Sequence, residues 1–256
     1  MVRSAYELVP ERLRGERYFR WRGGDVSRLE ALADAVFALS LTLIVVSLEV
    51  PRTFSELLNV FAQLPVFAVC FVLLLLCWYH HFLFHRRYGL EDFVTVAFNS
   101  ILLFAILFYV YPLKFLFSLL WRQVAGMSMQ VEGPGGQMQV MVSYEQGGAV
   151  LAVFSGGFAA VSFLFWVLYR HAWSKREALQ LNAAELEASR GALRGHAFSM
   201  GLALAILAVA LLQPQWVPFA GMSFSLLGPI HYFNGWTTGR RVEAAAAKES
   251  GLNRSG

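Results

Sequence analysis

The chain has 256 residues, of which 57% are hydrophobic, 22 are Phe and only 15% are charged. That composition leaves a soluble domain nowhere to hide its apolar surface, so it excludes an ordinary water-soluble enzyme and reads as an integral membrane protein. The net charge of +4 comes without a basic, aromatic-interleaved stacking platform, so nucleic acid is not an expected partner.

In chain order, the first 30 residues carry seven Arg and no apolar core with a small-residue cleavage site, so they read as a tail rather than a secretory leader. Six apolar runs follow, at 31–50, 57–79, 93–120, 148–169, 196–213 and 216–236, each long enough to cross a bilayer. The expected fold is therefore an all-α integral membrane protein with six transmembrane helices and both termini on one side. The third run exceeds a single span and carries Pro112, so a tilt and a kink are expected there. The fifth and sixth are separated by Gln213, Pro214 and Gln215, which read as a tight turn. The organisation expected is an amino tail over 1–27, a six-helix domain over 28–239 with an external loop at 121–147, and a carboxyl tail over 240–256.

Basic residues orient this topology. Eighteen fall in the amino tail, at Arg86 and Arg87, between Arg170 and Arg194, and in the carboxyl tail, against Arg52, Lys114 and Arg122 on the opposite side. By the positive-inside rule both termini are expected in the cytoplasm of a multi-pass cell-membrane protein. Cys70 and Cys77 are seven residues apart in one run, cannot pair with each other, and say nothing of redox compartment.

In the external loop, Met127, Met129 and Val131 alternate before Gly133-Pro134-Gly135-Gly136, and Met138, Val140 and Val142 alternate after it. This is the pattern of a small β-hairpin between the third and fourth helices. A loop without strands competes, because isolated hairpins are marginal in water. The stretch from Ala172 to Arg190 reads as extensions of the flanking helices, and the segment after Arg240 as a frayed helix followed by disorder.

The first helix carries the unusual chemistry. A carboxylate in a membrane helix costs roughly 2.5–3.5 kcal/mol at its centre, so Asp34, about one turn in, needs a partner or a wet cavity. Arg28 lies six residues earlier, outside the three-or-four spacing of helical pairs, so each must find its partner elsewhere. Candidates at the same depth are Trp78, His80, His81 and His85 at the end of the second helix, and Asn99 in the third. Such a polar network would dock the first three helices; the competing reading has Arg28 snorkelling to lipid phosphate with the histidines at the interface. Leu39, Thr42, Leu43 and Val46 share one stripe at 100° per residue. The stripe lines a hydrophobic constriction or simply packs against helices and lipid.

These residues resemble the transmembrane protein 175 family of prokaryotic and lysosomal potassium channels, whose first helix carries an Arg, three residues, then Phe-Ser-Asp. Here Arg28 is followed by Leu29-Glu30-Ala31 and Leu32-Ala33-Asp34, so Leu32 and Ala33 replace the Phe and Ser. The match continues through Ala35 to Thr42, Trp78-Tyr79-His80-His81, Asn99 and Tyr111-Pro112, covering roughly residues 28–113, with the second half alike in topology more than in letters. The resemblance implies a homotetramer of the prokaryotic six-helix type, with four copies of the first helix lining a central pore. It implies passive permeation of potassium past apolar rings at Leu39 and Val46, with Thr42 as a polar layer and Leu43 the next candidate. It also implies a cytoplasmic-end network of Arg28, Asp34, Trp78, His81 and Asn99, with His80 as the alternative histidine. Partners are then potassium, other monovalent cations and the lipid bilayer.

Two further classes compete. A secondary transporter or proton pathway would use Asp34, although no repeat or broken-helix pattern accompanies it. A haem or metal protein would use His80, His81, His85, His171 and His196, but neither Cys-x-x-Cys-His nor His-Glu-x-x-His is present, so no cofactor is expected. No nucleophile, histidine and carboxylate form a recognisable hydrolytic set, so an enzyme is not expected.

Overall fold

Most of the apolar runs become helices, as burial of every backbone polar group in a membrane requires. The structure, a computed structural model, describes residues 16–46, 50–133 and 135–252. Its helices are α1 (Arg28–Val46), α2 (Phe54–Ala62), α3 (Leu64–Tyr88), α4 (Phe93–Val124), α5 (Gly147–Ser174), α6 (Ala183–Leu212), α7 (Val217–Met222) and α8 (Leu227–Leu252), with strands β1 (Gln130–Glu132) and β2 (Met138–Val140) between α4 and α5. Side chains written into the sequence start these helices. Ser27 Oγ accepts from the Glu30 amide while the Glu30 carboxylate accepts from the Ser27 amide, a capping box opening α1. Asn182 and Glu185 do the same for α6, and Asp92 caps α4 by accepting from the Thr95 amide at 2.9 Å.

Helices α3, α4 and α6, and α5 with the turn before it (Tyr144–Ser174), are each long and apolar enough to cross a membrane. The expected second run is two helices rather than one. α2 stops at Ala62, Gln63 breaks the chain, and Pro65 enters in the first turn of α3, where its missing amide costs nothing. Trp121 Nε1 closes the gap by donating to the Ala62 carbonyl at 2.8 Å. The expected sixth run is also interrupted. A 3₁₀ turn (Pro214–Trp216), α7 and a second 3₁₀ turn (Ser223–Leu226) precede α8, and α7 carries Pro218 in its first turn. α8 then continues past Arg240 to Leu252, so the boundary expected between domain and carboxyl tail falls inside a helix. Pro112 lies within an α4 that runs unbroken through it. The end of the first run, Ser47 to Glu49, lies outside the described residues.

α5 packs along α6, α6 along α8, and α4 along α5, while α1 packs on α3 and α4. The main core joins Phe37 and Ile44 of α1 to Cys70, Leu74, Phe84 and Tyr88 of α3, Leu102, Ile106 and Val110 of α4, and Phe165, Leu168 and Tyr169 of α5. Small residues set the closest approaches, as in other membrane bundles. At Gly191 a Cβ would lie 2.4 Å from the Thr238 side chain, and the Gly191 carbonyl accepts from Asn234 Nδ2 at 2.9 Å.

The described part of the segment before α1, residues 16–27 of the expected amino tail, packs as a strap. Arg87 on α3 grips the Glu16 carboxylate with two nitrogens at 2.8 and 2.6 Å. Arg22 makes a two-pronged pair with Glu185 of α6 at 3.0 and 2.6 Å and donates to the Leu179 carbonyl at 2.8 Å. The Arg20 amide also donates to Glu185, and the Arg22 and Gly23 amides share the Arg86 carbonyl. Gly89, which ends α3 at φ 57°, admits this strap: a Cβ there would sit 3.0 Å from the Arg22 backbone.

β1 and β2 pair antiparallel with Gln130 opposite Val140, Val131 opposite Gln139 and Glu132 opposite Met138. In this register Val131 and the pair Met138 and Val140 fall on opposite faces, so the hairpin has no single apolar face.

Candidate functional site

The site residues read from the sequence separate into two groups on two sides of α1. Ala33, Phe37, Ser40 and Ile44 recur at three- and four-residue spacing and form its buried side. Ser40 Oγ donates to the Val36 carbonyl at 2.8 Å, so its hydroxyl is satisfied within the helix. Lys114 of α4 donates to the Ile44 carbonyl at 2.8 Å, a tie absent from the sequence expectations.

The expected polar network resolves into two separate bonds rather than one connected cluster. Trp78 Nε1 donates to Asp34 Oδ1 at 2.7 Å, joining α3 to the exposed edge of α1. His81 Nε2 donates to Asn99 Oδ1 at 2.6 Å, joining α3 to α4 in the fully buried interior. Phe37 packs its ring 5.9 Å from His81, and the His85 ring lies tilted beside His81 at 4.4 Å. Of the two candidate histidines, His81 therefore faces Asn99. His80 turns 100° away and meets His196 and Phe165 at 5.4 and 6.2 Å. It lines a groove of about 460 Å³, with His196, His231 and the strap, between α3, α6 and α8.

Arg28 joins neither pair. It is exposed at the start of α1, and Arg86 of α3 takes the cationic place instead, 3.6 Å from Glu30. Ala33, where the resemblance has Ser, is completely buried, whereas Leu32, where it has Phe, is half exposed. Burial of Ala33 against the core explains how the hydroxyl is dispensable to the packing here: no polar group is left to satisfy.

The other side of α1 is open. Arg28, Ala31, Ala35, Leu39 and Thr42 recur at three- and four-residue spacing and are all exposed, with Leu39 at 49%. The Thr42 hydroxyl donates to the Ala38 carbonyl at 2.9 Å, leaving its oxygen lone pairs outward. Leu43 lies at the margin of this side, partly buried against the core. The side chain of Val46 lies outside the described residues.

At the junction between α3 and α4, partial burial pushes the Asp92 carboxyl up, but hydrogen bonds from Lys175, His171 and the Thr95 amide outweigh it and hold the group well below the usual carboxylate range. His171 thus serves a tie between α4 and α5 at 2.9 Å. The signals missed in the sequence, Glu16, Arg22, Glu30, Arg86, Lys114 and Glu185, are charged residues whose partners lie on other elements.

Comparison with known proteins addresses the whole of this architecture. A potassium channel of Marivirga tractuosa is 32% identical over 228 residues, 87% of this chain and 92% of the relative. The chain belongs to the TMEM175 family. The family described as "Endosomal/lysosomal potassium channel TMEM175" matches residues 28–109, which run from the start of α1 into α4. A crystal structure of a variant of the potassium channel MtTMEM175 superposes with a TM-score of 0.75 at 30% identity, covering 88% of this chain and 99% of that one. A TMEM175 homologue from Chamaesiphon minutus shares the fold at a TM-score of 0.52 and 20% identity, over 82% of this chain and 96% of its own. With these relatives and its apolar helices, this TMEM175 chain is a multi-pass membrane protein.

Proposed function

We propose that the chain is one subunit of a potassium-permeable channel, a homotetramer in which four copies of the open side of α1 line a shared path. The six crossings are α1, the α2–α3 pair, α4, α5, α6 and the α7–α8 segment, with both termini in the cytoplasm of a bacterial cell and the hairpin outside. The potassium channels named among its relatives support the ion. One observation carries the placement: the side of α1 left open by the rest of the chain bears Arg28, Thr42 and, at its edge, Asp34. Polar groups at membrane depth face a bundle interior or water rather than lipid. Further copies of α1 would give them that interior.

Conduction is then passive. A ring of Leu39 side chains narrows the path and gates it by excluding water, Thr42 offers oxygens just beyond, and Val46 forms the next apolar ring. An apolar ring supplies no ligands to replace hydration, so selectivity between potassium and sodium is modest. Lys114 on the Ile44 carbonyl and Phe37 against His81 hold the opposite side of α1, and the Trp78–Asp34 bond fixes its edge. Purified protein in liposomes loaded with potassium tests the reading. Rapid electrogenic potassium efflux that persists with a protonophore, and slows when sodium replaces potassium, is the expected result; silence from correctly assembled tetramers contradicts it.

A further inference from the structure

Lys114 is set deep in α4, seven residues before Trp121, which is about 10 Å of helix rise. The helix around it is apolar enough to cross a membrane. An ionisable side chain at such depth is costly and is expected to serve a partner. One partner is the Ile44 carbonyl of α1, to which Lys114 Nζ donates at 2.8 Å.

That bond differs in kind from the other ties on α1. Trp78 holds the Asp34 side chain, and Phe37 packs by its ring. A side chain can turn about its own bonds while the helix behind it moves, whereas a bond to a carbonyl holds the backbone itself. Among the described residues, Lys114 is the side chain from another helix that bonds the backbone of α1. The last turn of α1 up to Val46 carries no basic residue of its own, and a cation supplied from α4 complements the carbonyl end of the helix.

The spacing puts Leu39 between two tethers. Asp34 and Ile44 are ten residues apart, about 15 Å along the helix axis, and Leu39 is the midpoint. Trp78 holds one end of this stretch from α3 and Lys114 holds the other from α4. Ile44 is 1% exposed, so Lys114 pulls on the side of α1 away from its open face, two residues beyond the exposed Thr42. We propose that Lys114 is a positioning residue for permeation. It sets how far the second half of α1 stands from the shared path, and so the width at Leu39 and Thr42 on which discrimination between potassium and sodium depends. The inference rests on the reading of α1 as the helix that lines the path, and Lys114 acts through the α1 backbone rather than on the ion.

Potassium and sodium fluxes of the full-length protein in liposomes are compared for the wild type, Lys114→Met, Lys114→Arg and Phe37→Leu, with the melting temperature of each. Lys114→Met keeps a long, flexible side chain and removes the donor, so its potassium-to-sodium flux ratio should fall at least about threefold as the path loses its set width. Lys114→Arg keeps a cationic donor and should retain the wild-type ratio. Phe37→Leu trims the buried side without touching the backbone bond, and should lower the melting temperature while the ratio holds. If Lys114→Met does not assemble, Lys114→Gln, a neutral donor on a shorter stem, must show the same fall. With a conducting wild type, an unchanged ratio in the Met variant, or in the Gln variant where that one stands in, overturns the inference alone, as does an equal fall in Lys114→Arg or Phe37→Leu. Silence of the assembled wild type contradicts the channel reading and this inference with it.

Discussion

The side of α1 that carries Ala33, Phe37, Ser40 and Ile44 is buried to 3% exposure or less, whereas Leu39 on the other side is 49% exposed. The buried side is held from several directions: Lys114 on the Ile44 carbonyl, Phe37 against His81, and Glu30 beside Arg86 at the entry. Among the described residues, the tie on the open side is the Trp78 bond to Asp34 at its edge. One face is specified by the fold of the chain itself, and the other is the face proposed to meet further copies of α1. Mutations on the buried side should change stability before flux, and mutations on the open side the reverse.

The largest effect is expected at the strap. Glu185 is 1% exposed and takes the Arg22 guanidinium, and removing one partner of a buried pair costs about 3–5 kcal/mol. Glu185→Ala should therefore lower the melting temperature of the purified protein sharply; an unchanged melting temperature would show that the strap does not hold the bundle. Next comes Asn99→Ala, which leaves buried His81 without its acceptor at a cost of about 1–3 kcal/mol. Denaturant unfolding of this variant against His81→Ala and the double mutant measures the coupling, and simple additivity would remove the bond from the account.

A smaller, pH-dependent effect belongs to Asp92. Its folded carboxyl is held below the usual range, so its contribution is fully present above the unfolded value, about 3.9, and is lost as pH falls toward the folded one. Because Lys175 and Asp92 are both partly exposed, the gain is about 1 kcal/mol or less. Melting curves near pH 7 and pH 3 should show a shallower acid loss in Asp92→Asn than in the wild type. The smallest stability change, within about 0.5 kcal/mol, is expected for Leu39→Ala on the open side, accompanied by faster potassium flux and poorer discrimination against sodium. A large stability loss with unchanged flux would erase the contrast between the two sides.

The sequence carried the apolar runs and the chemistry of α1 because hydropathy, capping patterns and the cost of a membrane carboxylate are local properties. The sequence groups Trp78, His81 and Asn99 as candidates for one network with Arg28 and Asp34 without saying which meets which; the structure divides them into Trp78 with Asp34 and His81 with Asn99 and leaves Arg28 outside both. The choice between His80 and His81 was not legible, because a one-residue step turns a side chain by about 100° and only the docking of α3 decides which faces α4. Arg22 and Glu185 are 163 positions apart, and no periodicity connects them. The turn at Gln213-Pro214-Gln215 is legible in the sequence, whereas the breaks at Gln63 and at Ser223–Leu226 are hidden because proline inside a helix's first turn leaves the hydropathy of the run intact. In the hairpin the alternation was visible, but the register that separates Val131 from Met138 is a property of the pairing.

The central claim, that the open side of α1 lines the path, is tested most directly by cysteine substitution at Leu39, Thr42 and Ser40, with flux followed during exposure to a membrane-impermeant cationic thiol reagent. The account predicts that Leu39→Cys and Thr42→Cys react and lose potassium flux, while the buried Ser40→Cys does not. Block at Ser40→Cys with Leu39→Cys and Thr42→Cys left untouched would place the path on the other side of the helix.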